Sequence, residues 1–211
     1  MLTSYYTIKA SGSHEIVINK SRFITHMTRV TTEEEAQSFI EKIKKEHWNA
    51  THNCSAYLIG EHDDIQKAND DGEPSGTAGI PMLEVLKKRK LKDTCAVVTR
   101  YFGGIKLGAG GLIRAYGSAV SETIDTIGVV ERSLIQNVHV TVAYHWLGKV
   151  ENELRNSPYL LHDIFYEENV TFSVGIPIKN TDSFVQWITN ITNGQLQMDK
   201  KEKIYIENDV K

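Results

Sequence analysis

The first pattern along the chain is an alternation of apolar and polar residues with a period of two. It runs through YYTIKA, HEIVINK and SRFITHMTRV, which together span most of residues 5–30. Successive side chains of a strand point to opposite faces, so this alternation predicts three strands of a half-exposed sheet.

The period changes to that of a helix after residue 31. Thr32 and Glu35 form a capping box, and apolar residues follow on one face, so a helix is predicted from about Thr32 to His47. The apolar positions are Ala36, Phe39, Ile40 and Ile43.

The middle of the chain combines apolar runs with turn-forming residues. HNCSAYLIG is predicted to be a strand, and the polar turn-forming DDGEPSGTAG leads to a helix that starts near Pro81. TCAVVTRYF is rich in β-branched and aromatic residues, which predicts a central strand. The glycine-rich stretch after it leads into a helix that carries Leu112 and Tyr116 on one face.

From about residue 133 the pattern predicts strands and helices in the order βαββαβ, a ferredoxin-like arrangement. This unit is large enough to be a domain, so we expect an α+β protein of two domains, residues 1–131 and 132–211.

Composition and charge narrow the function classes. Of 211 residues 40% are hydrophobic, which indicates an ordinary folded protein, and the net charge of −3 argues against coating nucleic acid through overall positive potential. A local basic patch is still allowed. No apolar run could span a bilayer and the first residues do not resemble a signal peptide, so we expect a cytoplasmic protein without membrane contact. Cys54 and Cys95 are expected to be reduced thiols in buried strands.

The segment RYFGGIKLGAGGLIRAY is the main candidate for binding chemistry. A strand that passes through glycines into a helix is a common way to bind an anion, because the helix start offers unpaired N–H groups. A tight turn explains the glycines equally well, since neither common nucleotide-binding glycine motif is present. Cations and an exposed aromatic favour phosphate or RNA binding. The candidate residues are Lys20, Arg22, Arg100, Tyr101, Phe102, Gly103, Gly104, Lys106, Gly108, Gly110, Gly111 and Arg114.

Two other charged stretches have simpler explanations. The basic run KKRKLK is typical of a solvated helix end. Asp70, Asp71 and Glu73 could hold magnesium beside a phosphate-binding loop, but turn chemistry also accounts for them. His52 and Cys54 would share one face of a strand, where a Cys-His pair could act as a nucleophile. No catalytic triad or metal motif is assembled by local spacing, so no catalytic residue, cofactor or metal is expected.

Four segments resemble the signature segments of the IMPACT/YigZ family: KSRFI at 20–24, HNCSAY at 52–57, DDGEPSGTAG at 70–79 and VVTRYFGGIKLGAGGLIRAY at 97–116. The resemblance covers the first 130 residues closely. It implies an N-terminal domain similar to domain IV of elongation factor G and to the second domain of a small-subunit ribosomal protein. The C-terminal part is similar to the last domain of elongation factor G.

The resemblance implies a regulatory binding protein of translation that contacts the ribosome, RNA or a translation factor, without catalysis and without sequence readout of DNA. The alternative is an enzyme that binds a phosphorylated small molecule or nucleotide at the glycine-rich loop, with magnesium held by the DDGE loop; GHMP kinases share the N-terminal fold. A third possibility is a protein–protein adaptor anchored by Tyr101 or Phe102.

Overall fold

The computed structural model describes residues 1–210, which form two compact units. The first consists of Met1, Tyr5–Glu131 and the residues from Asn208, and the second of Leu2–Ser4 and Arg132–Glu207. Both contain helices and sheets, which confirms the α+β prediction.

The first unit is built around a five-stranded sheet in the order β2-β3-β6-β4-β5. Three helices lie in this unit, and β1 belongs to the sheet described below. The bounds are β1 Ser4–Ile8, β2 Gly12–Ile18, β3 Ser21–Arg29, α1 Glu33–Glu46, β4 His52–Ile59, β5 Ile65–Asn69, α2 Gly79–Lys88, β6 Thr94–Tyr101 and α3 Gly108–Ile127.

Helices cover both faces of this sheet. The larger core joins β3, β4 and β6 to α2 and α3, and the smaller one joins β4 and β6 to α1. The strand β6 is therefore buried almost to its end and lies in the middle of the sheet, as its β-branched composition predicts.

Two local predictions can be compared with this unit, and one of its strands was missed. The capping box is present, because the Oγ1 atom of Thr32 accepts a hydrogen bond from the backbone N–H of Glu35. The helix α2 begins at Gly79, so Pro81 lies within its first turn rather than at its start. The short strand β5 was not predicted, because IQKAN has almost no apolar alternation.

The second unit contains the predicted order of strands and helices. Its sheet has the order β1-β7-β9-β8, and β10 also pairs with β7. The core is formed by Val138, Val140, Phe172, Val174 and Phe184 with their neighbours. The bounds are β7 Val129–Val142, α4 Leu147–Arg155, β8 Leu160–Tyr166, β9 Val170–Pro177, α5 Thr181–Ile191 and β10 Gln197–Asp209.

Candidate nucleic-acid interface

A cleft of about 450 Å³ lies in the first unit, where the acidic loop (residues 70–79) faces the start of α3. Glu73 comes from the acidic loop, Arg100 and Phe102 from the end of β6, and Lys106 and Gly108 from the glycine segment (residues 103–111). The structure thus brings the two loops together, which the sequence alone could not establish.

Arg100 is the most buried charge of the cleft. The residue is 5% exposed. In the sheet it lies opposite Phe23 on β3 and His52 on β4, on the face that packs against α2 and α3. Its Nη1 atom donates to Glu73 Oε1 at 2.6 Å. Arg100, a candidate for phosphate or RNA binding, is thus not a free surface cation, because its strand position points inward and a carboxylate compensates its charge.

Further hydrogen bonds complete this buried pair. The hydroxyl of Tyr116 on α3 donates to the same Glu73 oxygen at 2.8 Å. Cys54 Sγ lies 3.3 Å from the Tyr116 hydroxyl and 3.0 Å from the backbone oxygen of Asp70. A buried ion pair is favourable only when such additional bonds satisfy its remaining atoms. The network therefore ties the acidic loop to the sheet and to α3.

Tyr101 and Phe102 lie in different surroundings, as expected of neighbours at a strand end. The hydroxyl of Tyr101 hydrogen-bonds His47 Nδ1 at 2.9 Å, on the side of the sheet that carries α1. Arg22 lies over the Tyr101 ring and forms two hydrogen bonds with Glu15, at 2.8 and 2.9 Å. The charge of Arg22 is thus compensated. Phe102 is 46% exposed and lines the cleft.

The start of α3 carries no acceptor of its own. Its N-cap residue is Leu107, which gives no side-chain hydrogen bond, and the first turn contains no acidic residue. The start of α1, by contrast, has the Thr32 cap and Glu33, Glu34 and Glu35. The first N–H groups of a helix carry partial positive charge, so α1 is neutralised from within and α3 is not.

Exposed cations lie at or near this helix start. Lys106 precedes it, and a Cβ atom at Gly110 would lie 3.6 Å from Nη1 of Arg114, so the Arg114 guanidinium extends along the first turn. Lys20 lies in the adjoining β2–β3 turn. Among residues 1–210, the side chains of these three cations have no hydrogen-bond or ion-pair partner.

The glycines serve two purposes. A Cβ atom at Gly103 would lie 2.0 Å from the carbonyl carbon of Lys20, so Gly103 is required for packing against the β2–β3 turn. Gly104 and Gly108 have φ angles of +84° and +69°, where other residues are strained. Gly110 and Gly111 lie in the first turn of α3 and keep it unobstructed.

The acidic loop does not fit magnesium. Burial opposes ionisation of Asp70, but N–H groups of Gly76, Gly79 and Ala78 donate to its carboxylate, and its pKa is lowered overall. The loop is closed by Asp71, which accepts from Lys44 Nζ at 2.6 Å and the Asn53 N–H at 2.7 Å. Because these donors occupy the Asp70 and Asp71 carboxylates, and Arg100 and Tyr116 occupy Oε1 of Glu73, turn chemistry accounts for the loop. No cluster of three or more His, Cys, Asp or Glu within residues 1–210 is arranged for a metal ion.

The proposed Cys-His nucleophile is also not supported. Cys54 is completely buried, and burial raises the pKa of its thiol to about 12. His52 Nδ1 donates to the backbone oxygen of Asp71 at 2.8 Å rather than contacting the thiol. Its Nε2 atom lies 3.8 Å from Glu73 Oε2. Both cysteines are free and buried, as predicted.

Sequence reasoning missed the partnership of Glu73, Arg100 and Tyr116. One signal was available: Arg100 follows a run of apolar residues in a strand predicted to be central, and such a charge needs a buried partner. Glu73, in a turn-like loop eight positions before Pro81, gave no such signal.

Comparisons with known proteins cover both units. The model of the Impact N-terminal domain matches residues 19–124, and a domain of unknown function, DUF1949, matches residues 140–195. The chain is 67% identical to the IMPACT family member YvyE of Bacillus subtilis over 207 residues, 98% of this chain and 95% of that protein.

Two further matches extend almost as far. The chain is 35% identical to the IMPACT family member YigZ of Escherichia coli, over 86% of this chain and 90% of that protein. A crystal structure described only as a hypothetical protein is 32% identical, with a TM-score of 0.60, and the match covers 96% of this chain and 99% of that one.

Proposed function

Because this chain belongs to the IMPACT family, we propose that it is a cytoplasmic binding protein of translation that contacts RNA at the start of α3. The observation that carries the proposal is the helix start without a cap, with cations nearby that are unpaired in the described part of the chain. Lys20, Lys106 and Arg114 supply the charge, and the N–H groups of Gly108 and Ala109 supply hydrogen-bond donors.

Phosphate is the ligand that this arrangement favours. A helix N-terminus attracts an anion through its partial positive charge and its unpaired N–H groups. The glycines of the first turn allow close approach of a phosphate oxygen to the backbone. The net charge of −3 does not oppose this, because the charge that matters is local.

Most cations of the basic run at residues 87–92 have partners within the chain, unlike the cations around α3. Within residues 87–92, Lys87 pairs with Glu84, Arg89 with Asp125 and Lys92 with Asp63. These three charges are compensated within the chain, which leaves Lys88 and Lys90, whereas none of the three cations around α3 is paired within residues 1–210. An external polyanion therefore gains more at the start of α3.

An exposed aromatic ring favours RNA over a simple anion. Phe102 adjoins the same cleft with 46% of its surface exposed. Single-stranded nucleic acid binds through charged grooves combined with aromatic rings on which bases stack. Ribosomal RNA supplies such unpaired bases in its loops.

Co-sedimentation with ribosomes from the same host tests the proposal. The test variant replaces Lys20, Lys106 and Arg114 by alanine, and the control replaces Lys42, Lys45 and Lys67, three exposed lysines on α1 and β5. Both variants lose three positive charges, so they differ only in where the charge is lost. Arg100 is left intact, because its removal would strand Glu73 in the core.

The wild-type protein should sediment with ribosomes at low salt and be released as salt rises. Each phosphate contact to single-stranded RNA contributes about 0.7 to the slope of log K against log salt, so the test variant should lose about 2. The control should keep the wild-type slope. Absence of wild-type binding at low salt would refute the proposal, as would equal losses in the two variants.

A further inference from the structure

The walls of the cleft are largely apolar, which phosphate alone does not explain. Pro74, Phe102, Leu107 and Leu112 all line it. Its volume of about 450 Å³ falls within the range of small-molecule sites, which are mostly apolar with a few placed polar groups. A ligand that fills it must therefore have a flat or apolar body as well as a charge.

Phe102 is the surface suited to that body. The guanidinium carbon of Arg100 lies 5.5 Å from the Phe102 ring centre and 5.4 Å from that of Phe23. The Phe102 ring thus has a cation–π contact with Arg100, while nearly half of the residue remains exposed. A rigidly held aromatic ring is a stacking surface for a nucleobase.

Two acceptors lie together at the other side of the cleft. His52 Nδ1 donates to a carbonyl oxygen, so Nε2 is an acceptor in the neutral tautomer that this bond selects. Glu73 Oε2 lies 3.8 Å from Nε2, too far for a direct hydrogen bond. A ligand hydroxyl or amino group placed near both atoms would satisfy them.

Arg100, which also lines the cleft, has a donor that is not used within the described residues of the protein. Arg100 is only 5% exposed, and its Nε atom is buried without a hydrogen-bond partner among residues 1–210. A buried donor without a partner costs free energy that an acceptor on a ligand recovers. This observation is independent of the helix start and also indicates a polar ligand.

We propose that the cleft binds one nucleotide, with its base against Phe102, its phosphate at Lys106 and the start of α3, and a hydroxyl or amino group at His52 and Glu73. The nucleotide is either a free nucleoside monophosphate or the terminal residue of an RNA chain. The inference deepens the proposed function, since it assigns the RNA contact at α3 to a single nucleotide.

Calorimetric titration of the whole protein tests the pocket directly. The probes are the four nucleoside 5′-monophosphates, with adenosine and inorganic phosphate as the separated halves of the ligand. At least one monophosphate should bind more tightly than either half, because only the intact nucleotide uses both the apolar wall and the helix start. Equal or weaker binding of all four would overturn the proposal.

Phe102→Ala and Ile113→Ala form a matched pair of variants. Ile113 is similarly exposed, at 44% against 46%, but lies on α3 away from the cleft lining. Loss of base stacking should weaken binding of the monophosphate by about 5- to 150-fold in Phe102→Ala. The Ile113 variant should bind as the wild type does, and equal affinity of all three proteins would refute the assignment.

Competition with RNA distinguishes the two sources and the two proposals. If a 5′-phosphorylated hexanucleotide binds tenfold more tightly than the monophosphate, and the monophosphate displaces it, the ligand is the end of an RNA chain. If the monophosphate binds more tightly, the ligand is the free nucleotide. Ribosome binding without any monophosphate binding overturns the pocket alone. Monophosphate binding without ribosome binding supports the pocket and refutes the proposed function.

Discussion

Replacing Glu73 by glutamine removes a charge from the buried network while keeping the shape of the side chain. Glu73 and Arg100 side chains are only 3% and 6% exposed, and their closest atoms lie 2.6 Å apart. Removing one partner of such a pair leaves an uncompensated buried charge, which costs about 3–5 kcal/mol. Glutamine still accepts a hydrogen bond from Tyr116, so the lost charge accounts for most of the effect.

The control is Glu15→Gln, which breaks the pair with Arg22 at the surface. Its partners are 38% and 52% exposed, at a distance of 2.8 Å. Exposed pairs contribute about 0–1 kcal/mol. The two substitutions are chemically identical and differ in the burial of the ion pair, so the comparison isolates the effect of burial.

Urea unfolding followed by circular dichroism measures the difference. A loss of 3 kcal/mol lowers the midpoint by about 1–3 M urea, given the usual slopes for small proteins. The Glu15 variant should stay within about 1 kcal/mol of the wild type. If both variants lose the same small amount, the Arg100–Glu73 pair does not stabilise the fold and the reasoning fails.

Three further predictions concern stability and reactivity. Gly103→Ala should destabilise the fold by about 3 kcal/mol or more, because the added Cβ atom would collide with the backbone of Lys20. Gly104→Ala, which has open space around it but a positive φ angle, should cost about 1–2 kcal/mol. Equal urea midpoints of the two variants would contradict this. The pKa of Asp70 in the folded protein lies below its ordinary value of 3.8, so its contribution to the free energy of unfolding is present above that pH and is lost as pH falls below it. The stability of Asp70→Asn should therefore depend less steeply on pH in acid than that of the wild type, and an unchanged acid transition would exclude this role. Burial raises the pKa of Cys54 and Cys95 to about 12, so iodoacetamide at pH 7.5 should label neither thiol until urea is added, and labelling of the native protein would disprove it.

The sequence predicted elements whose pattern is set by neighbouring residues. The Thr32 cap, the helix behind it and the buried run of β6 all depend on local spacing, and the structure confirms them. The strand β5 was not predicted, because four of its five residues are exposed and its sequence has no apolar alternation.

The paired residues of the candidate site are far apart in the sequence, so no local pattern could identify them. Glu73 and Arg100 are separated by 27 positions, yet they form one buried ion pair. The sequence identified the glycine segment and its exposed neighbours. It could not say which of the charges were already paired.

The open start of α3 also links the stability of the fold to the composition of the solution. An anion that binds the native helix start and not the unfolded chain stabilises the protein according to its concentration, by about 2.7 kcal/mol at a hundred times its Kd. Phosphate, sulfate and nucleotides would then act as stabilisers. A melting temperature of this protein therefore has meaning only together with the anions present, and the choice of buffer becomes part of the measurement.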